Sequence, residues 1–402
     1  MTVRLSRRGL LGSAAAAPFL FAPRAAAAPP SAAAAPAKFP SFPPVDFDGL
    51  AKRVARTLAP AAGERAILAF DPGYHPELAA AVERELASSG VESFVAMAFD
   101  PPEVVEAADA RPGPAKRQDD FVAWLAPLFA KADLFLWLPV RVLYDDTRLE
   151  HLVDGSKVRG VHFHWILDWE GRGPEDIARL SKLYEKTILE TDYAALSREQ
   201  DRLIGLLRGR DVRLSSPGGT DLTLRVPADA WFHKNDGNMS AERARSARGA
   251  RDREMELPAG ALRFIPDPAS AEGRLVIRST ATPDGPVEEA VIAFAAGRGR
   301  IVGAKKGEAA LRKHWQAIGG DVDRVGEIVI GTNPILAAAA TATELPYFGY
   351  GAGAVRVSLG DNWESGGPNR TPGNRNWWLF LGDATLEAGG RAIVREGRLL
   401  AD

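Results

Sequence analysis

The stretch Gly353–Asp383, GAVRVSLGDNWESGGPNRTPGNRNWWLFLGD, reads as two strands joined by a glycine-rich loop. Such a layout suits a metal site with ligands at the strand ends, yet those ends carry arginine, asparagine and tryptophan. Arginine is a permanent cation with no lone pair to donate. An asparagine oxygen is a weak ligand, and tryptophan is none. The nearby acids Asp361, Glu364 and Asp383 have the hard oxygens that calcium or magnesium takes. In a Gly/Pro loop, acids also serve as turn formers or solvated charges.

Other residues able to do chemistry are few. The chain has no cysteine, which excludes disulfides, thiolate metal sites and a cysteine nucleophile. In GVHFHWILD, His162 and His164 share one face of a strand and could chelate a metal, or could form a polar face under a helix or at a domain interface. His233, in WFHKNDGN, reads as a loop histidine that could reach a cleft. ERARSARGARDRE holds five arginines between Arg243 and Arg253, which suit a solvated loop or a guide for carboxylate-bearing ligands. No P-loop and no nucleophile-elbow serine is present, and GRGRIVG lacks the strand-to-helix context of a dinucleotide loop. Trp363, Trp377 and Trp378 suit packing, or filling of space around a vacated site.

The elements that must position these residues fall into two halves. RAILAF, VESFVAMAF, DLFLWLPV and GVHFHWILD alternate with the helix-period segments DFDGLAKRVARTLA, PELAAAVERELASSG and DDFVAWLAPLFAKA, and a long helical stretch runs from Pro174 to Leu207. This alternation predicts an open parallel sheet with crossover helices, an α/β domain over residues 45–210. From residue 211 to 402 the pattern turns to strands, turns and one helix, GEAALRKHWQAIGG, and predicts a β-rich α+β domain. At 402 residues and 46% hydrophobic, the chain is long and apolar enough for two cores. Its net charge of −2 provides no field to draw nucleic acid.

Ahead of these halves, Ser6-Arg7-Arg8-Gly9-Leu10-Leu11 is a twin-arginine pattern, followed by an apolar run through Phe21 and an Ala25–Ala28 segment open to cleavage. The run is too short to span a bilayer. We read residues 1–28 as a twin-arginine signal peptide and 29–44 as an Ala/Pro-rich linker. The expectation is a periplasmic or secreted protein, with no stable membrane insertion once the signal is removed.

The succession GGTDLTLRV, ELPAGALRFIPDPASAEGRLVI, RVGEIVIGTNP, VRVSLGDN, GGPNR and ATLEAGGRAIVREGRL resembles the M29 metallo-aminopeptidases, the aminopeptidase T group, from about Asp46 to the C-terminus. The resemblance implies an M29-like fold, a homodimer, and two divalent metals (zinc, cobalt or manganese) held by two glutamates, two histidines and an aspartate. It places the glutamates at Glu272 and Glu327, with Glu327 as the catalytic base or bridging ligand. The histidine positions fall on Arg356 and Asn376, the aspartate on Trp378, and a family tyrosine on Trp363. Dihydroxypyridine ring-cleaving dioxygenases resemble this family in outline, and their iron site needs the same lost histidines.

The sequence therefore predicts a non-catalytic relative, without the dinuclear site, whose cleft binds a peptide or small molecule. A divergent metallo-aminopeptidase releasing N-terminal residues is the alternative. Arg356, at a vacated histidine position, is expected to pair with Glu272 or Glu327. The leader reading has its own test, since the export receptor reads paired guanidinium groups. With Arg7 and Arg8 both changed to lysine, cell fractionation should find the protein in the cytoplasm with its leader uncleaved; a processed periplasmic product would refute the assignment.

Overall fold

The computed structural model describes residues 2–5, 44–99, 115–140, 147–165, 174–339 and 350–401. The twin-arginine motif, Ser6 to Leu11, and residues 29–43 of the Ala/Pro tether lie outside them, whereas Thr2–Leu5, within the segment read as a leader, lies inside.

The first half folds as its alternation predicts. Six strands form an all-parallel sheet in the order Thr2–Leu5, Ser93–Phe99, Arg65–Phe70, Leu134–Trp137, Arg159–Phe163 and Glu254–Leu257. Helices cover this sheet, so its central strands are apolar on both faces; Leu134 to Trp137 are all buried. The helix Phe47–Leu58 starts where the Asp46 carboxylate accepts the Gly49 N–H, and packs Leu50, Val54 and Leu58 inward. The helical stretch expected from Pro174 to Leu207 is two helices, Pro174–Glu190 and Tyr193–Leu207. The break falls where Asp192 caps the second, accepting the Ala195 N–H at 2.9 Å.

The last strand of this sheet comes from well beyond residue 210. Glu254–Leu257 returns to pair in parallel with Arg159–Phe163, with Met255 and Leu257 in the apolar core. The alternation leaves Glu254 and Glu256 on the other face.

The second half holds two antiparallel sheets. Eight strands run in the order Arg298–Lys306, Gly285–Ala295, Glu272–Thr282, Asp221–Arg225, Asp211–Ser215, Thr385–Ala388, Arg391–Arg395 and Arg398–Leu399. Five run in the order Asn376–Leu381, Val355–Gly360, Val325–Gly331, Ala261–Phe264 and Phe232–Lys234. The five-stranded sheet has two unlike faces. Leu262, Phe264, Ile328, Ile330, Val355, Val357, Leu359, Trp377, Leu379 and Leu381 join the core shared with the eight-stranded sheet. Arg263, Glu327, Arg356, Ser358, Asn376 and Trp378 occupy the opposite face, on the side of the parallel sheet's core, which Val329 and Trp378 join.

A bulge sets which face Glu327 takes. Val325 pairs with Leu359 and Glu327 with Ser358, so Gly326 is the extra residue, and alternation resumes with Glu327 on the polar face. At Gly326 a Cβ would lie 2.7 Å from the Gly360 carbonyl oxygen, closer than the backbone tolerates. Gly326→Ala should therefore lower stability by about 1–3 kcal/mol in urea unfolding; an unchanged midpoint would show that the bulge relaxes without cost.

Candidate functional site

Register alone brings two arginines to one carboxylate. Arg263 and Arg356 lie on the strands flanking Val325–Gly331, and both are paired opposite Val329. Glu327 is two residues from Val329, so each arginine meets it as a diagonal neighbour, a distance long side chains span. Arg356 Nη2 donates to Glu327 Oε1 at 2.5 Å, and Arg263 Nη1 donates to the same oxygen at 3.1 Å. Ser365 Oγ donates to Glu327 Oε2 at 3.1 Å.

The parallel sheet supplies the second carboxylate. Arg263 Nη2 reaches both oxygens of Glu256 at 2.6 Å. Glu256 also accepts from the Tyr350 hydroxyl at 2.5 Å and from Asn235 Nδ2 at 3.1 Å. Arg251 donates to Glu254 at 3.0 Å and Glu256 at 3.2 Å, and also pairs with Glu364. His162 Nδ1 lies 2.6 Å from Glu254 Oε1, with its ring stacked on Trp137, while His164 Nε2 lies 3.6 Å from Glu256 Oε1.

Burial by itself would make these acids neutral, so the cations decide their state. Burial pushes the Glu327 carboxyl up, but Arg263 and then Arg356 outweigh it and hold it below the usual range. Glu256 is held well below that range, with Arg263 the main opponent of its burial. Burial, and then the neighbouring Arg263, lowers the Arg356 guanidinium, with Glu327 opposing. Burial drives His164 well below its ordinary value, so it is neutral. Arg356, Arg263 and Ser365 all donate to Glu327, and a carboxylate engaged in this way is a weaker proton acceptor than a free one.

A small cleft of about 20 Å³ opens over the polar face, with Arg356, Ser358, Trp363, Glu364, Asn376 and Trp378 in its wall. Arg356 lies over the Trp378 ring, 4.2 Å from its centroid.

Several expectations need correction. Glu272 does not join Glu327: it sits exposed on the eight-stranded sheet, paired opposite Thr223, and accepts the Ala296 N–H at 2.6 Å. Glu256 is the carboxylate that shares Arg263 with Glu327. Asp361, Glu364 and Asp383 do not converge into an ion cage. Asp361 accepts the N–H groups of Trp363 and Thr371, Glu364 pairs with Arg251, and Asp383 pairs with Arg278. His233 is no loop residue; it is buried on the strand Phe232–Lys234, 3.6 Å from Asp252. The arginine-rich run is a short helix, Ala241–Arg245, and a turn, Arg251–Arg253, that delivers Arg251 to the site.

Glu254, Glu256, Arg251, Arg263 and Tyr350 were not singled out by sequence. The alternation Glu254-Met255-Glu256-Leu257 was the available signal, a strand with one acidic face.

These residues do not fit the two metals that the fold family implies. Both oxygens of Glu327 and both of Glu256 already accept hydrogen bonds, and fixed guanidinium groups stand where further donors would be needed. Among the described residues, no group of three or more His, Asp or Glu is arranged to hold an ion.

The fold itself is M29-like, at a distance. Superposition on AmpT from Thermus thermophilus gives a TM-score of 0.62 at 15% identity, covering 88% of this chain and 99% of that one. The 2,5-dihydroxypyridine dioxygenase from Pseudomonas putida KT2440 superposes with a TM-score of 0.59 at 18% identity, over 89% and 97%. Neither a family model nor a curated protein matches the sequence.

The depressed acids fix a pH dependence. Where a group's folded pKa lies below its unfolded one, the unfolded chain binds the extra proton, so stability is full above the unfolded value and is lost as pH falls. His75, which burial lowers to about 4, and His164 begin this loss below the ordinary 6.5. Glu327, Glu256 and Glu254, the last held at about 2, add to it below 4.5. Urea midpoints measured from about pH 8 to about pH 3 should fall with acid and steepen in the lower window; a midpoint flat across that window would overturn the ionised state of the acids.

Proposed function

We propose that this chain is a non-catalytic relative of the M29 aminopeptidases, exported by its twin-arginine leader, whose cleft binds a peptide or small molecule. The observation that carries the reading is the convergence of Arg356 and Arg263 on one oxygen of Glu327. At 4 Å and an effective dielectric of 20, a unit charge repels another by roughly 4 kcal/mol, and a divalent ion by about twice that. An ion bound at Glu327 would face that repulsion from two guanidinium groups. The arginines serve as the site's cations, and the carboxylates need no ion to be neutralised. The family resemblance adds a homodimer to this reading.

Metal content tests the proposal directly. After incubation with zinc, cobalt or manganese and dialysis, the purified chain should retain well under one equivalent, and aminoacyl-anilide hydrolysis should stay at the blank rate. Stoichiometric metal with chelator-sensitive turnover would instead establish a divergent metallo-aminopeptidase. The double change Arg356→His with Asn376→His restores two imidazole donors and should raise metal uptake over the parent chain.

A further inference from the structure

We infer that the cleft over Arg356 takes a small organic monocarboxylate, held by the unused N–H groups of the Arg356 guanidinium and by the Ser358 hydroxyl. The inference rests on the metal-free reading above and names the ligand class for the same cleft.

Arg356 is 1% exposed and spends only Nη2, on Glu327. Its Nε and Nη1 have no hydrogen-bond partner among the described residues. Ser358, 2% exposed, leaves Oγ equally unpartnered, and so does Asn376 its Oδ1. Buried polar groups are rarely left in this state, least of all on a charged side chain. All three side chains line one cleft, and the sheet fixes their spacing. Arg356 and Ser358 are two apart on one strand face, and Asn376 is paired opposite Gly360, the next position on that face. Trp378, opposite Ser358, lies beneath the guanidinium and limits its rotation.

The open valences define the ligand. A carboxylate supplies planar acceptors for guanidinium N–H groups and accepts from a hydroxyl. Arg356 has a single carboxylate partner, Glu327, and shares it with Arg263, so a second anion on its free side meets a cation only half neutralised. A dianion fits less well, because the three arginines of the lining, Arg251, Arg263 and Arg356, are already matched by Glu327, Asp361 and Glu364, which leaves no surplus positive charge for a second negative one. Trp363, which also lines the cleft, provides an apolar surface for the body of the acid, and the Asn376 amide meets its next polar atom.

Benzoate, benzamide and inorganic phosphate form the test, by titration calorimetry on the purified full chain. Benzoate should saturate with a Kd below about 1 mM, and benzamide and phosphate should bind at least ~10-fold more weakly. Ser358→Ala, which keeps the Arg356–Glu327 pair, should weaken benzoate roughly three- to tenfold. Arg356→Gln should weaken it more, and Arg278→Gln, an exposed arginine away from this cleft, should change nothing. Should Arg356→Gln fail to fold, the Ser358 variant decides alone. Benzoate binding no better than benzamide, or unchanged in Ser358→Ala, overturns the inference, and tighter phosphate than benzoate overturns the monocarboxylate class. Stoichiometric metal in the same preparation overturns the metal-free reading instead, whereas a metal-free chain indifferent to benzoate overturns the carboxylate alone.

Discussion

Two guanidinium groups share one oxygen of Glu327, and the centre of the molecule depends on that arrangement. Arg263 then passes to Glu256, which stands on a different sheet, so the chain Arg356, Glu327, Arg263, Glu256 ties the five-stranded sheet to the parallel one. Such pairs are poor sources of net stability, because desolvating the charges costs about as much as their attraction returns. Their interdependence is a different matter. Taking one partner from a buried pair leaves the other uncompensated, at about 3–5 kcal/mol, so the lattice holds the sheets in a single relation or is lost as a unit.

The lattice exists only because the five-stranded sheet has two unlike faces. One face is a continuous apolar surface in the core shared with the eight-stranded sheet, and that burial sets the register. With register fixed, the two arginines opposite Val329 have no choice of carboxylate. The bulge at Gly326 is the local exception that makes this possible, since without the extra residue Glu327 would turn toward the apolar side.

Much of this was legible in the sequence. Apolar runs alternating with helical segments identified the parallel sheet, and the family resemblance led to the expectation that Arg356 pairs with Glu272 or Glu327, of which Glu327 is the partner. What could not be read was proximity created by packing between sheets. Glu272 matched a phrase, AEGRLVI, but a phrase does not say which sheet its strand joins, and this strand pairs on the far one. Glu256 reaches the site because its strand returns to the parallel sheet, a crossover that local periodicity does not encode. Arg251 was hidden in a run whose composition alone suggested solvent, although it pairs with Glu254, Glu256 and Glu364 once the chain has folded back. Asp192 is the opposite case, a capping residue whose signal was present but lost inside an otherwise unbroken helical pattern.

The returning strand Glu254–Leu257 has a consequence for the order of assembly. A chain made from its N-terminus exposes the edge of Arg159–Phe163 from the time that strand forms until residue 257 has been synthesised, and an open parallel edge is a template for wrong pairing. The strand that closes the edge also carries Glu254 and Glu256, acids that remain without Arg263 for a few residues more. Glu327 and Arg356 come later still, so the last charge of the lattice arrives only after both cores have most of their strands. Edge protection and charge neutralisation are thus successive events in one direction of synthesis, and a nascent chain halted between them would present a closed sheet with an unfinished, acidic interior.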